Sequence, residues 1–179
     1  MMAETWEIRP ERPEDAHAID ALDDDGFGPG RYAKSAYRLR EGVAPENDLG
    51  LVAIENGVAV GSVRFWPIRI GAERALLLGP LAVRSILRGR GIGVALMQHG
   101  IEKARRTDHA AVILVGDEAY YARAGFSRIP PGRIRFPGPV DSRRILGLAL
   151  KPGALETLSG EVRRAHIDDP VCADGAALG

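Results

Sequence analysis

Residues 88–93 have the sequence Arg-Gly-Arg-Gly-Ile-Gly, and this stretch, called here the glycine turn, decides the fold assignment. It follows an apolar run that ends at Val83 and opens a segment of helical periodicity from Gly91 to Arg106. The first amides of a helix lack intrahelical partners and carry partial positive charge, and glycine lets a phosphate approach the backbone closely. The glycine turn therefore predicts an anion site, with a pyrophosphate as the natural ligand.

The glycine spacing argues against the two common nucleotide-binding motifs. A dinucleotide-binding turn needs Gly-x-Gly-x-x-Gly, but the position after Gly93 is Val94. A P-loop needs Gly-Lys followed by Ser or Thr, which the turn lacks. From the residues alone, the alternative to an anion site is an ordinary tight connection whose arginines face solvent.

The segments beside the glycine turn predict a strand, a helix and a second strand. Residues 75–83 are apolar but contain Gly79-Pro80, where the strand should bulge or splay because proline has no amide donor. The helix has one apolar face, formed by Val94, Met97, Ile101 and Ala104. Residues 110–115 are apolar throughout, as in a strand buried on both faces. Together they predict a parallel crossover unit.

The rest of the chain predicts further short elements. In order, these are a strand at 5–9, a helix from 13 to about 25, a short helix at 32–40, a hairpin of 49–55 and 58–70 joined by Asn56-Gly57, a short helix at 118–124, a loop at 130–139 and a strand at 145–150. We predict one domain over residues 1–160. The tail, residues 161–179, is either docked, as a helix around 161–166, or disordered.

Composition bounds the class of protein. Hydrophobic residues make up 45% of the chain, enough for a packed core, and the 24 basic residues equal the 24 acidic ones. No net charge therefore attracts nucleic acid or an anionic membrane. The single cysteine, Cys172, excludes an internal disulfide, and no Cys/His cluster has metal-site spacing. We expect a cytoplasmic protein with no metal, nucleic-acid or membrane partner.

Two motifs resemble the GNAT superfamily of N-acetyltransferases. Arg88, Gly91 and Gly93 match its signature of Arg or Gln, two residues, Gly, one residue, then Gly or Ala. The segment from Tyr121 to Phe126 is similar to the family's later Tyr-x-Lys/Arg-x-Gly-Phe motif. The resemblance implies the α/β (α+β) fold of acyl-CoA N-acyltransferases, a central, mixed, twisted sheet with splayed strands flanked by helices. It also implies transfer of an acetyl group from acetyl-CoA to an amine.

The resemblance implies which residues hold acetyl-CoA. The pantetheine arm would lie in the splay at Gly79-Pro80, and the amide of Val83 would also stabilise the oxyanion. The residues implied in cofactor binding are Leu81, Val83, Arg88, Gly89, Arg90, Gly91, Ile92 and Gly93. A side chain at Gly91 would stand between the backbone and the phosphates, and Gly91→Val is expected to weaken binding while the fold stays intact.

Tyr121 matches the family tyrosine that faces the coenzyme A sulfur, which implies a general acid for the leaving thiolate. Without the motif, Tyr120 and Tyr121 fit equally as residues that pack a short helix. The general base stays open. Some family members place a glutamate on the strand before the signature, but this sequence has leucines at 76–78. That leaves Glu73, Asp117, Glu118 or a water chain ending at backbone carbonyls. Asp117 also fits as a helix cap.

The resemblance places the acceptor between the first two helices and the segments after the last motif, here residues 27–40, Phe65-Trp66 and 133–136. Their aromatic and arginine side chains favour a partly apolar or acidic small molecule or peptide. A homodimer, a non-catalytic acyl-CoA binding module and an acyltransferase for longer chains stay open. His17, His99, His109 and His166 are expected to be surface or packing residues.

Overall fold

The computed structural model describes residues 5–27, 35–46 and 48–165. The strands are β1 (Trp6–Pro10), β2 (Leu51–Glu55), β3 (Val58–Ile70), β4 (Glu73–Val83), β5 (Ala111–Val115), β6 (Ser127–Arg128), β7 (Ile134–Arg135), β8 (Ile145–Ala149) and β9 (Gly160–Arg164). The helices are α1 (Ala16–Phe27), α2 (Ser35–Arg38), α3 (Ile92–Ala104), α4 (Glu118–Tyr121) and α5 (Ala154–Thr157), with 3-10 turns at Pro13–Asp15, Ser85–Leu87, Ala122–Ala124 and Ser142–Arg144.

The strands form a mixed sheet in the order β1-β2-β3-β4-β5-β8-β6, and β9 pairs with the far end of β3 and with β7. The pairs β4–β5 and β7–β9 are parallel, and the other pairs are antiparallel. The hairpin of β2 and β3 turns at Asn56 and Gly57, whose φ values of 52° and 77° fit a tight two-residue turn. The predicted hairpin and the β4-α3-β5 crossover are confirmed.

The sheet splays between β4 and β5. These two strands pair only at Leu76–Val112 and Leu77–Ile113, while β4 continues to Val83. Beside the splay, the register of β3 against β4 shifts between Val63 and Phe65, so one β3 residue opposes Gly79 and Pro80. The irregularity predicted from Gly79-Pro80 is therefore both a bulge towards β3 and a gap towards β5.

Apolar side chains pack on both faces of the sheet. On one face, α3 packs its buried stripe, which includes Leu96, Met97 and Ile101, against β2, β3 and β4. Gly100 in α3 touches the fully buried ring of Phe65 so closely that a Cβ would overlap it. On the other face, a second cluster joins β3, β4 and β5 to the segments after β5, including Ile134, Leu158 and Val162. The strands beside the splay are therefore packed on both faces of the sheet.

Two expectations about the C-terminal half are wrong. Residues Gly160–Arg164 form β9 rather than a helix, and its pairing with Ile68–Ile70 of β3 decides this conformation through long-range contacts. The segment 130–139 is not only loop, because it contains β7. The proposed boundary after residue 160 therefore falls inside β9. Most of the tail, with Cys172 and His166, lies outside the described residues. Residues 32–34 of the short helix expected at 32–40 also lie outside them, and the described part of that helix is α2.

Candidate active site

Two cavities open on the splay. The first, called here the turn cleft, has a volume of about 300 Å³ and is lined by the end of β4, the glycine turn and residues of α4. The second, called here the large pocket, has a volume of about 770 Å³ and is lined by α1, α2, β3, β4 and the segment before β8. Leu81 and Tyr121 line both cavities. The two cavities therefore meet at these two side chains.

The backbone of β4 offers donors to the splay. Arg84 N donates to Val60 O over 2.8 Å, which makes Val60–Arg84 a hydrogen-bonded pair of the antiparallel ladder. Because such pairs alternate with non-bonded pairs, the neighbouring pair Gly61–Val83 points its amides away from the partner strand. The Val83 amide, and by the same alternation the Leu81 amide, thus point out of β4 on the side where β5 has separated.

The N-terminus of α3 offers further donors to the turn cleft. Gly91 caps the helix with a φ of 83°, and the bond from Ala95 N to Gly91 O, at 3.0 Å, opens its hydrogen-bond ladder. The amides of residues 92–94 precede that ladder and have no partner within the helix. Since a side chain at a φ of 83° is itself strained, Gly91→Val would disturb the backbone as well as the ligand site, and the expectation of an intact fold is corrected.

The two arginines of the glycine turn have different surroundings. Arg88 is exposed, lines the turn cleft and forms no ion pair within the part of the chain that the structure describes. Arg90 is held by Glu55 of β2, with 2.8 Å between Nη2 and Oε1, and it does not line the cleft. That carboxylate raises the pKa of Arg90. The structure therefore brings Leu81, Val83 and the rest of the glycine turn together but directs the Arg90 side chain elsewhere.

Tyr121 lies where the two cavities meet. Burial raises the pKa of its hydroxyl to about 12, so the phenol stays protonated at neutral pH. Its ring packs edge-to-face on Phe126, with 6.1 Å between centroids, and it touches Gly116 so closely that a Cβ there would overlap the ring. The hydroxyl makes no hydrogen bond within the described residues. Tyr121 therefore presents a neutral donor to both cavities.

Tyr120 lines the turn cleft but not the large pocket. Its hydroxyl lies against Gly93 in the first turn of α3, and its ring packs on Tyr121 with 5.0 Å between centroids. Burial also raises the pKa of Tyr120. Both tyrosine rings therefore pack against neighbouring side chains, as the sequence alone allowed for either of them. Only Tyr121 lines both cavities.

The acids left open as general bases, Glu73, Asp117 and Glu118, line neither of the two cavities. Glu73 lies at the hairpin end of β4, ten positions before Val83, and is exposed. Asp117 caps α4 by accepting a bond from Ala119 N over 3.3 Å, and Glu118 pairs with Arg128 at 2.7 Å. The acids that line the large pocket are Asp20, Asp23, Glu41 and Asp141. Sequence reasoning missed Asp20 and Asp23; their spacing of three on a helix was the available signal.

The expected acceptor walls are partly found. Residues of α2 and Trp66 line the large pocket, whereas Phe65 is core. Residues 133–136 do not line it; residues 139–141 and Arg144 do. Trp66 donates from Nε1 to Gly79 O over 2.6 Å, which ties the floor of the pocket to the splayed segment of β4. Phe27, at the end of α1, has no described side chain.

A model of the acetyltransferase (GNAT) family matches residues 11–126, which include the end of β4, the glycine turn and Tyr121. The chain belongs to the GNAT family of acetyltransferases. The predicted family, its fold and its N-acetyltransferase activity are thereby confirmed. The roles assigned to individual GNAT motif residues stay predictions.

Relatives with known structures agree with the GNAT assignment. The uncharacterized N-acetyltransferase YhbS of Escherichia coli is 36% identical over 147 residues, which cover 79% of this chain and 87% of YhbS. A crystal structure of E. coli YhbS in complex with CoA matches with a TM-score of 0.75 over 90% of this chain and 91% of that one, at 33% identity. A GNAT acetyltransferase from Brucella melitensis in complex with acetyl-CoA matches with a TM-score of 0.67 over 90% and 96%, at 28% identity.

Two further features bear on the site. Among the residues that the structure describes, no group of three His, Cys, Asp or Glu side chains is placed to hold a metal ion. In the same ranges, no helix combines the length and apolar character that crossing a membrane requires.

The described histidines are packing or surface residues, as expected. His109 is buried, and burial lowers its pKa to about 4. His17 and His99 are exposed.

Proposed function

We propose that this acetyltransferase binds acetyl-CoA along the turn cleft and transfers the acetyl group directly to an amine in the large pocket. The observation that carries the proposal is that Leu81 and Tyr121 line both cavities, so that a thioester and an amine can meet beside a partly buried phenol. The CoA and acetyl-CoA complexes of the relatives support the choice of cosubstrate.

The residues of the turn cleft fit the chemical parts of acetyl-CoA. The amides before the α3 ladder and the Arg88 guanidinium are donors of the kind that pyrophosphate needs. The Leu81 and Val83 amides can bind the polar groups of pantetheine as an added strand edge would. Gly89 and Gly91 leave open space where a Cβ would stand, so phosphate oxygens can approach the backbone.

The reaction needs a neutral amine, an oxyanion donor and a proton for the thiolate. As the amine nitrogen bonds to the acetyl carbon, negative charge develops on the carbonyl oxygen, and we assign the Val83 amide as its donor. The C–S bond then breaks, and the Tyr121 phenol gives its proton to the sulfur. The amine's proton leaves to water, and Tyr121 regains a proton from water. This balances the transfer without a dedicated carboxylate base, in keeping with the expected water chain.

The direct test of the proposal is thioester consumption against a panel of primary amines. Acetyl-CoA hydrolysis without amine is the background, and each rate is checked by mass spectrometry of the acetylated product. Acetylation of at least one amine class is expected. Cofactor binding with no product from any class would contradict transfer and favour an acyl-CoA binding module, whereas faster turnover with longer acyl-CoA would replace the acetyl group as the natural donor.

Acetyl-CoA is expected to raise the melting temperature by mass action. At a concentration 100 times its Kd, a ligand adds about 2.7 kcal/mol, which corresponds to roughly 5–10 °C for a domain of this size. Differential scanning fluorimetry measures the shift. NAD is the control and is expected to give none, because the glycine spacing does not suit it. A missing shift at saturating acetyl-CoA would remove the basis for the cofactor assignment.

The two arginines of the glycine turn give a matched pair of variants. Arg88→Gln is expected to weaken acetyl-CoA binding about 10-fold or more, because a charge-assisted bond to phosphate is worth about 1.5–3 kcal/mol. Arg90→Gln removes the same charge from the same turn, but Glu55 holds that side chain away from the cleft, so affinity should change less than about 2-fold. Calorimetric titration compares the two Kd values. Equal losses of acetyl-CoA affinity in the two variants would show that only the net charge of the glycine turn matters.

We also propose a cytoplasmic location and an acceptor that is a small molecule or a peptide. The single cysteine is consistent with a reducing compartment. The homodimer stays an expectation that a sedimentation experiment can test.

A further inference from the structure

The large pocket is lined by two groups of charged residues. The first, called here the acidic wall, comes from α1 and β3 and carries Asp20, Asp23 and Arg64. The second, called here the arginine wall, comes from the chain around α2 and from the segment before β8 and carries Arg38, Arg40 and Arg144. Tyr121 lines this pocket and also the turn cleft.

The positive charge of Arg64 is matched inside its own wall. Arg64 makes a two-pronged ion pair with Glu11, with 2.6 Å between Nη2 and Oε1 and 3.0 Å between Nε and Oε2. Glu11 raises the pKa of Arg64 most, and Asp23 and Asp20 also raise it, which puts both aspartates within electrostatic reach of Arg64. Asp23 is only 4% exposed, although it lines the pocket. Among the described residues, the acidic wall thus lines the pocket with two carboxylates, and its one guanidinium is paired with Glu11, which does not line the pocket.

The arginine wall has more guanidinium groups than carboxylates. Asp141 is already bonded to Arg143, at 3.0 and 3.1 Å, which leaves Glu41 as the other acid on this side. Arg38 and Arg144 form no ion pair within the described ranges, and both are exposed. The positive charge of Arg144 also acts on the Tyr121 hydroxyl, whose pKa it lowers against the stronger effect of burial. Arg144 is therefore near the point where the cavities meet.

An aromatic surface carries one of these arginines. Arg40 stacks on Tyr37 and on Trp66, with its Cζ atom 5.9 Å from each ring centroid, and its Nε donates to Ala36 O over 3.4 Å. Trp66 is fixed by its bond to Gly79 O. A planar guanidinium held on aromatic rings is oriented to bind a carboxylate. The pocket therefore combines an apolar surface with carboxylates and guanidinium groups.

We propose that the acceptor is zwitterionic, a primary amine that carries a carboxylate on the same molecule. Asp20 and Asp23 attract the cationic amine into the pocket, and Arg144 and Arg40 bind the carboxylate while the amine reaches the thioester beside Tyr121. This inference rests on the proposed function and specifies its substrate class. Acids near the amine attract its cationic form from solution, and the apolar part of the acceptor covers Trp66.

The test compares acceptors with and without the carboxylate, and because the amine pKa also differs within a pair, each rate is referred to the concentration of neutral amine. The pairs are phenylalanine with phenylalanine amide and 5-aminopentanoate with pentylamine, and kcat/KM for acetylation is measured for each. The carboxylated member is expected to be at least about 10-fold better in at least one pair, since a bond between two charged groups contributes about that factor. 2-Aminoethylphosphonate is a further arm: preference for it over the carboxylates would overturn the carboxylate assignment.

Variants of two adjacent arginines test which side chain is responsible. Arg144→Gln is expected to lower the ratio of kcat/KM between the members of the preferred pair about 10-fold. Arg143→Gln removes the same charge one residue away, from a side chain that does not line the pocket. Because it also releases Asp141, which does line the pocket, its ratio should fall, but by less than that of Arg144→Gln. Fluorimetry with acetyl-CoA checks that both variants fold and bind cosubstrate.

The results distinguish a wrong acceptor class from a wrong assignment of acetyl transfer. Equal turnover of both members of every pair, or an unchanged ratio in Arg144→Gln, would overturn the zwitterionic acceptor while leaving acetyl transfer intact. Acetylation of no amine at all, with acetyl-CoA bound, would instead contradict the proposed function and the acceptor class with it.

Discussion

Tyr121→Phe is expected to lower kcat about 10²-fold or more, because general acid catalysis contributes about 10²- to 10⁴-fold. The variant removes only the hydroxyl and keeps the ring that packs on Phe126, so the melting temperature and the Kd of acetyl-CoA should barely change. Steady-state kinetics with a verified acceptor measures kcat, and calorimetric titration measures the Kd. A loss confined to kcat identifies an interaction made in the transition state.

Tyr120→Phe is the matched control for this variant. The two tyrosines are adjacent, and only Tyr121 lines both cavities, whereas the Tyr120 hydroxyl lies against Gly93 in the turn cleft. Tyr120→Phe should therefore leave kcat within about 3-fold of the wild type, well below the loss expected for a general acid. If Tyr120→Phe rather than Tyr121→Phe lowers kcat, the motif assignment is off by one residue. If neither variant slows turnover, solvent protonates the thiolate.

The raised pKa of Tyr121 has a defined consequence for the pH profile. A general acid contributes only while protonated, so its contribution is present below a pKa of about 12 and is lost as the pH rises through that value. Between pH 6 and 10 the rise in kcat/KM should thus report deprotonation of the amine. Tyr121→Phe should lower the whole curve without moving this rise.

The parts of the site that the sequence predicts are the ones encoded in consecutive residues. The glycine turn, its helix and the Tyr121 motif each lie within one short segment, where spacing and chirality restrict the backbone. The splay was also predictable, because a proline in a long strand removes a ladder donor. Local rules therefore suffice for the turn cleft and for the junction at Tyr121.

The parts that sequence reasoning missed depend on contacts between distant segments. Arg90 looks like Arg88 in sequence, and only the neighbouring strand β2 brings Glu55 to it. The strand β9 has few apolar residues, so its own sequence does not predict a strand. It forms because it pairs with residues Ile68–Ile70 of β3, beyond the part of β3 that pairs with β2. Asp20 and Asp23 become pocket residues only once α1 packs on β3 and β4. No pattern within one segment specifies these arrangements.

Gly116 is a further residue that sequence reasoning missed, and its substitution should have an effect as large as that of Tyr121→Phe. It follows β5 directly, and its amide donates to Arg144 O over 2.9 Å, which fixes the backbone there. A Cβ at this position would overlap the Tyr121 ring and come within 3.1 Å of Leu114 Cδ1. Gly116→Ala must therefore displace the ring and move the hydroxyl away from the junction of the two cavities.

Gly116→Ala is expected to lower kcat about 10²-fold, since a displacement of about 1 Å at a reacting group can cost that much. The informative measurement is the double variant. If Gly116 acts through the Tyr121 hydroxyl, adding Gly116→Ala to Tyr121→Phe should reduce kcat by less than about 3-fold further, because the group that it would displace is already absent. Melting temperatures and acetyl-CoA Kd values of the single variants show whether the protein stays folded. Losses that multiply in the double variant would mean that Gly116 supports catalysis by a route independent of Tyr121.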